Sequence, residues 1–564
     1  MTFKPVTFKP VTFKRRDALK VGGVVLLSAS LEGSSKGQTQ TVQRPGKTVP
    51  VSQNLDAPSL EVVAFSRLAY GPRPQDWTAF QVLEGKTSAD KLRVWLERQL
   101  DPAKIDDSAC EGRLEGMATL KKPLRQLWKE HYLEAPDGDQ KDEVIGQPTS
   151  QTRLASLVRQ TYSERQLLER MVEFWHDHFN VDPGRDERIT PTYADYSNVL
   201  RSHALGNFGQ MLRSVAQHPA MLYYLDNASS NRGGPNENYS RELFELHTMG
   251  AENYLGVQPQ RSVPGFNEGQ PIGYVDEDIY EATRAFTGWR VNDNLGNEDW
   301  QQGVGKDGSF LFYASWHDRF QKTVLGRFLP PDAAPVQDGL DVLETLSQHP
   351  GTARYLSRKL VRRFVADDPP QDLIDAVAKS WLEHRKSPDQ MKHVLRVLIL
   401  SPQFATTWGR KNKRPLETFV SALRTLQPEL KATDDLFWHT DWMGQIPYGW
   451  KPPNGYPDVG GAWRSSTHFL RGWQYLLGLA HGWDERWKTD VVAQNGGRKR
   501  PTEIADFWLE RILGHRPPKL RAVLLEVLAE GANPAEEIKD DNALKDRVKN
   551  AVGFLMMSPE FLRK

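Results

Sequence analysis

The chain has 564 residues, enough for a large core, and 38% hydrophobic with 26% charged side chains is ordinary for a globular protein and too polar for a membrane-embedded one. Its 73 basic and 72 acidic residues nearly cancel, so the global charge asks for neither nucleic acid nor an anionic membrane. The single cysteine, Cys110, excludes an internal disulfide and any multi-cysteine metal or iron–sulfur site within one chain.

The first element reads as an address. Lys14, Arg15 and Arg16 precede a short apolar run at 21–27 and the small residues Ser28 and Ser30, the pattern of a signal peptide rather than of a membrane anchor. The adjacent arginines resemble the twin-arginine class, whose cargo crosses already folded. This predicts residues 1–30 as a twin-arginine-type signal peptide and a periplasmic or secreted mature protein with no transmembrane anchor. The alternative is a basic tail before a buried strand. Residues 31–58, rich in Ser, Gly, Gln and Thr, read as a flexible tether. Cys110 lies in a polar stretch without a nearby histidine and reads as a bystander.

Apolar positions then recur with helical spacing. Val62, Val63, Phe65 and Leu68 open the series, Leu92, Trp95, Leu96 and Leu100 follow, and 153–179 forms a long stretch. Further helices are predicted at 196–215, 238–249, 277–287, 336–346, 353–365, 371–382 and 391–400. The last region adds 416–426, 463–479, 504–513, 520–528 and 544–556. Alternating β-branched runs are few; 310–314 and 322–325 predict one small hairpin. The expected fold class is mainly α: a large irregular multi-helix body with long loops. A main helical domain at 59–410 would carry the site, with a C-terminal helical subdomain at 411–564 packed on it. The clusters Arg410, Lys411, Lys413, Arg414 and Arg498, Lys499, Arg500 read as solvated faces. Pro/Gly-rich intervals at 229–236, 255–273, 291–309 and 446–461 are long enough that some should cover or line a cleft.

Chemistry concentrates in a few polar segments. Phe174, Trp175, His176, Asp177, His178, Phe179 and Asn180 supply metal or acid/base vocabulary. On a straight helix His176 and His178 point about 200° apart, so one metal does not simply take both. Residues 235–250 read as a helix ending at Gly250, with Asn238, Arg241, Glu242 and Glu245 along a polar stripe. Glu237 and Glu245 each stand four residues from Arg241, so an ion-pair lattice and a site are both open readings. Asp276, Glu277 and Asp278 look like an acidic helix start with Asp276 as the cap. His317, Asp318 and Lys322 add a further His/Asp pair beside a turn.

These segments resemble DUF1800, a bacterial family numbered among the domains of unknown function. The resemblance rests, in order, on Arg67, Tyr70 and Pro72 within 67–72; on 174–179; on 218–227, from His218 to Asn227; on 236–247, from Asn236 to His247; on 285–289, ending in Trp289; and on His317, Asp318, Lys322 and Gly326. Residues 358–364 and 401–404 extend it. It implies a helix-rich secretory protein and supplies no substrate or reaction. The chain departs from the family pattern at Asp177, where asparagine or a neutral residue is more usual, which favours His176, His178, His247 and His317 as shared site positions.

The leading expectation is a metal-assisted hydrolase of an extracytoplasmic glycan or related polar polymer. His176, His178, His247 and His317 would ligate a divalent metal ion, Glu242 or Glu245 would accept a proton from water, and Arg241 or Lys322 would stabilise the developing charge. Without a metal, Glu237 or Glu242 would pair with Asp278 as two carboxylates. Asp177, Asn236, Asn238, Trp289, Trp450 and Trp463 are the expected substrate contacts, the last two in an aromatic, Pro/Gly-rich region with Trp438, Trp442, Tyr448 and Tyr456 whose flat faces suit sugar rings. Internal packing is the competing reading of each tryptophan. A non-haem metallo-oxidoreductase and a non-catalytic polysaccharide-binding or assembly protein are the alternatives.

Overall fold

The helix Gln166–His178 shows how the body is built. Leu167, Arg170, Met171, Phe174 and His178 recur every three or four residues and all are buried, so one face is continuous with the core. The long stretch expected at 153–179 is in fact two helices, Lys141–Tyr162 and Gln166–His178. The chain turns between them because Asp107 captures the junction, accepting hydrogen bonds from the Ser163 hydroxyl at 2.8 Å and the Glu164 backbone N–H at 2.7 Å.

This computed structural model describes residue 55 and residues 57–293, 306–431 and 433–564. The expected signal peptide and nearly all of the tether lie outside the described residues. The fold is mainly α. Helices Pro350–Phe364, Gln371–Glu383 and Gln390–Ile399 pack in succession, and Ser466–His481 lies along Asp541–Met557. No helix among the described residues is long and apolar enough to cross a membrane.

Residues Asn54–Lys564 group as one unit around two hydrophobic clusters. The larger gathers the helices between Val63 and Phe404. The second, running through 416–561, is completed by Tyr70, Cys110, Leu114, Met117 and the 154–158 turn of the helix Lys141–Tyr162. Cys110 is buried there, and burial pushes its thiol up to about 12.

The strands correct the expected hairpin. Phe310–Phe312 pairs with Trp289–Val291, and Lys322–Val324 pairs with Arg327–Leu329, each antiparallel; a third two-stranded ladder joins Glu429–Leu430 to Trp487–Lys488. The second hairpin closes through Leu325 and Gly326, both with positive φ (49° and 76°), the backbone of a tight two-residue hairpin turn.

Candidate functional site

The interval 446–461 forms one wall of an open cleft of about 470 Å³, lined by Asp441, Ile446, Trp450, Lys451, Pro452 and Tyr456. A segment without helix or sheet must satisfy its backbone elsewhere, and side chains remote in sequence do this. The Asn180 amide donates to the carbonyls of Trp450 and Pro452, both at 2.8 Å, and the Tyr224 hydroxyl donates to that of Lys451 at 2.5 Å. Arg153 Nε reaches the Pro447 carbonyl at 3.0 Å. Gly455 has φ +70° and passes so close to the Asp177 carbonyl that a Cβ would lie 1.9 Å from it. Trp450 is half-buried, with its indole N–H on the Asn454 side chain at 2.8 Å.

Behind the loop lies a network of buried charges. Asp177 accepts from Arg363 at 2.6 Å and Arg414 at 2.7 Å; Asp458 accepts from Arg363 at 2.7 Å and lies 3.4 Å from Lys411. Arg414 also bonds Glu173, and Arg170 joins Glu173 to Glu417 at 3.3 and 2.5 Å. Burial alone would raise the Asp458 carboxyl, but Arg363, Lys411 and Arg414 hold it well below the usual carboxylate range. Lys411 and Arg414 are therefore buried partners rather than the solvated face expected of them. Asp177, expected to touch substrate, is consumed by two arginines.

The four candidate histidines fall in three surroundings. His176 stacks on Tyr448 at 3.8 Å and shares a hydrogen bond with Ser197. His178 points the other way, accepting from Lys359 Nζ at 2.9 Å and donating to the His247 carbonyl at 3.1 Å; the rings of His178 and His247 are 6.0 Å apart. Burial lowers all three, His176 and His247 to about 3. His317 is bonded to the Thr287 carbonyl at 2.8 Å and faces Asp338 at 3.3 Å. The four do not form one ligand set, and among the described residues no group of three or more His, Cys, Asp or Glu side chains is arranged to hold a metal ion.

Several other expectations change for equally local reasons. Lys322 is enclosed by Asp338 at 2.6 Å and the carbonyls of Asp318 and Phe320, so it has no charge to offer a reaction. Asp278 caps its helix by accepting from Val275 and takes the Leu325 N–H as well; burial raises it to about 6. Asp276, the expected cap, is the first helical residue and accepts from Tyr254. Trp289 is fully buried against Phe286, Phe310 and Gly339. Trp463 is buried with its N–H on the Pro457 carbonyl at 3.0 Å, backing the cleft instead of lining it.

The carboxylate stripe is solvent-facing. The expected single helix is α-helical over Asn238–Glu242 and then widens into a π-turn, Leu243–His247, a geometry frequent at functional sites. Arg241 stands 3.3 Å from Glu237, 3.5 Å from Glu245 and 3.6 Å from Asp276. Asn236 accepts from the Asn238 N–H, and Asn238 reaches Asp226 at 3.4 Å, so both are engaged in holding this turn. Glu242 is the exception. It is half-buried, carries no hydrogen bond or ion pair among the described residues, and is raised by burial and then by Glu245. Its charge also bears on Tyr224, the clamp of Lys451.

Tyr224 and Lys359 stood inside the matched segments and Asn180 directly after one, but none had an assigned role, because their partners lie far away in the chain. Arg363 and Arg414 carried one usable signal, basic side chains next to apolar helical positions. The family described as "Protein of unknown function (DUF1800)" matches residues 63–563. No curated protein and no solved structure matches the chain. With that match running through both hydrophobic clusters and the whole cleft, the chain belongs to the DUF1800 family.

Proposed function

We propose that the protein binds a glycan or related polar polymer outside the cytoplasm, in the Trp450 cleft. The observation carrying this reading is the clamped loop: Asn180 and Tyr224 fix the carbonyls of Trp450, Lys451 and Pro452, so an aromatic face and the polar groups of Asp441 and Lys451 are held beside one another. A mostly apolar concavity with a few fixed polar groups is the usual make-up of a small-ligand site, and prior ordering of the loop lowers the entropy lost on binding. The extracytoplasmic setting rests on the arginine pair and apolar run of residues 1–30.

Affinity electrophoresis through gels cast with neutral, acidic and amino-bearing polysaccharides tests the reading. Retardation by at least one polymer is expected, with Trp450→Ala weakening it by about tenfold or more while far-UV circular dichroism is unchanged. Equal retardation of the wild type and Trp450→Ala, or none across the panel, contradicts it.

Glu242 favours a second reading, hydrolysis of the bound polymer. A carboxyl raised by burial and by a neighbouring carboxylate is suited to donate a proton to a leaving group, and Glu242 is raised in this way with Glu245 beside it. On this reading, Glu242→Gln abolishes release of reducing ends and leaves retardation intact. Absence of any released reducing end from a retarded polymer leaves binding as the function.

A further inference from the structure

Three segments remote in sequence meet behind the carboxylate stripe: His178 at the end of Gln166–His178, His247 at the end of the π-turn, and Lys359 on Pro350–Phe364. Lys359 Nζ donates to His178 Nδ1 at 2.9 Å, which leaves the His178 proton on Nε2, where it is donated to the His247 carbonyl at 3.1 Å. His178 is thus fully used and sets the position of the ammonium. Two nitrogens are left with hydrogen-bonding capacity unused. An ammonium has three N–H bonds, and Lys359 makes one hydrogen bond among the described residues. The His247 ring is 1% exposed and its Nε2 has no partner.

A desolvated donor left unpaired costs about 1–3 kcal/mol, more when charged, so this arrangement calls for an acceptor. Among the described residues the protein does not supply one. Asp177 and Asp458, whose charges bear on Lys359, are each engaged by Arg363 at 2.6 and 2.7 Å. Arg362 and Arg363 add positive charge, and Arg358 on the same helix is taken up by Glu252 at 2.7 Å. Lys359 as a whole residue is half-buried, with Tyr355 beside it, while burial dominates at its amine.

We propose that Lys359, His178 and His247 form a binding site for a small oxyanion, a carboxylate or a phosphate, with Lys359 Nζ and the His247 ring, in its tautomer protonated at Nε2, as the donors and His178 as the positioning residue. The site is distinct from the Trp450 cleft and does not depend on glycan binding. Burial lowers the Lys359 amine to about 8, so affinity falls as pH rises through that value and the ammonium loses its charge. The groups that set this titration are Asp177, Asp458, Arg362, Arg363 and the neutral rings of His178 and His247.

Titration calorimetry of the full chain with sodium acetate and with inorganic phosphate, each against chloride at matched ionic strength, tests the site. Saturable one-to-one binding of one probe is expected, weakened by about tenfold or more in Lys359→Met and unchanged in Trp450→Ala. Failure of both probes to saturate, or binding retained in Lys359→Met, overturns the proposal. Should Lys359→Met lose the fold, the ring resonances of selectively labelled His247 in the wild-type protein decide: a saturable shift on adding the bound probe supports the site, and unmoved resonances overturn it.

Discussion

His176, His178 and His247 are buried as neutral rings, and their cost appears in acid. Each would take up a proton at about pH 6.5 in an unfolded chain, whereas burial holds His176 and His247 to about 3 in the fold, and burial with the Lys359 charge lowers His178 in the same direction. Between those values the unfolded state binds more protons, so stability falls as pH drops from about 6.5 towards 3, by up to about 1.4 kcal/mol per pH unit for each ring. Urea midpoints measured from pH 7 to 4 should show this slope, and His176→Gln, which can retain a bond to Ser197, should reduce it. A flat profile over that range would show that the rings are not held neutral. The opposite directions of His176 and His178 were legible from helical geometry. The group that each would meet was not, since Tyr448 and Lys359 come from distant parts of the chain.

At the scale of elements, the loop 446–461 stands on its clamps. Removing both Asn180 hydrogen bonds with Asn180→Ala should cost about 1–3 kcal/mol, raise amide exchange at 446–456, and weaken polymer binding although Asn180 does not line the cleft. Unchanged exchange in this variant would mean the loop is held by other contacts. The length and Pro/Gly content of this interval put it in the sequence among four stretches of which some should cover or line a cleft, without singling it out. The strands were harder to pair because three-residue segments carry too little alternation to specify a register. Phe310–Phe312 finds Trp289–Val291 across an intervening stretch, and only Leu325 and Gly326, with their left-handed backbone, fix the local hairpin.

Across the whole molecule, helical periodicity made the fold class readable, while charge composition misled. Lys411 and Arg414 stand in a basic run that reads as surface, yet their carboxylates arrive from Asp367, Asp458, Glu173 and Asp177, and a local reading has no access to such partners. The same network makes Arg363 a keystone between the first histidine motif and the cleft loop. Arg363→Ala leaves Asp177 and Asp458 short of a buried partner and should destabilise by about 3–5 kcal/mol, read as a fall in the urea midpoint; an unchanged midpoint would show that the remaining cations compensate. The central claim, that the Trp450 cleft is the polymer-binding surface, is tested most directly by hydrogen–deuterium exchange of the full chain with and without a retarded polysaccharide. Protection concentrated at 441–456 is the predicted result. Protection confined to other helices, with 441–456 exchanging as in the free protein, would contradict it.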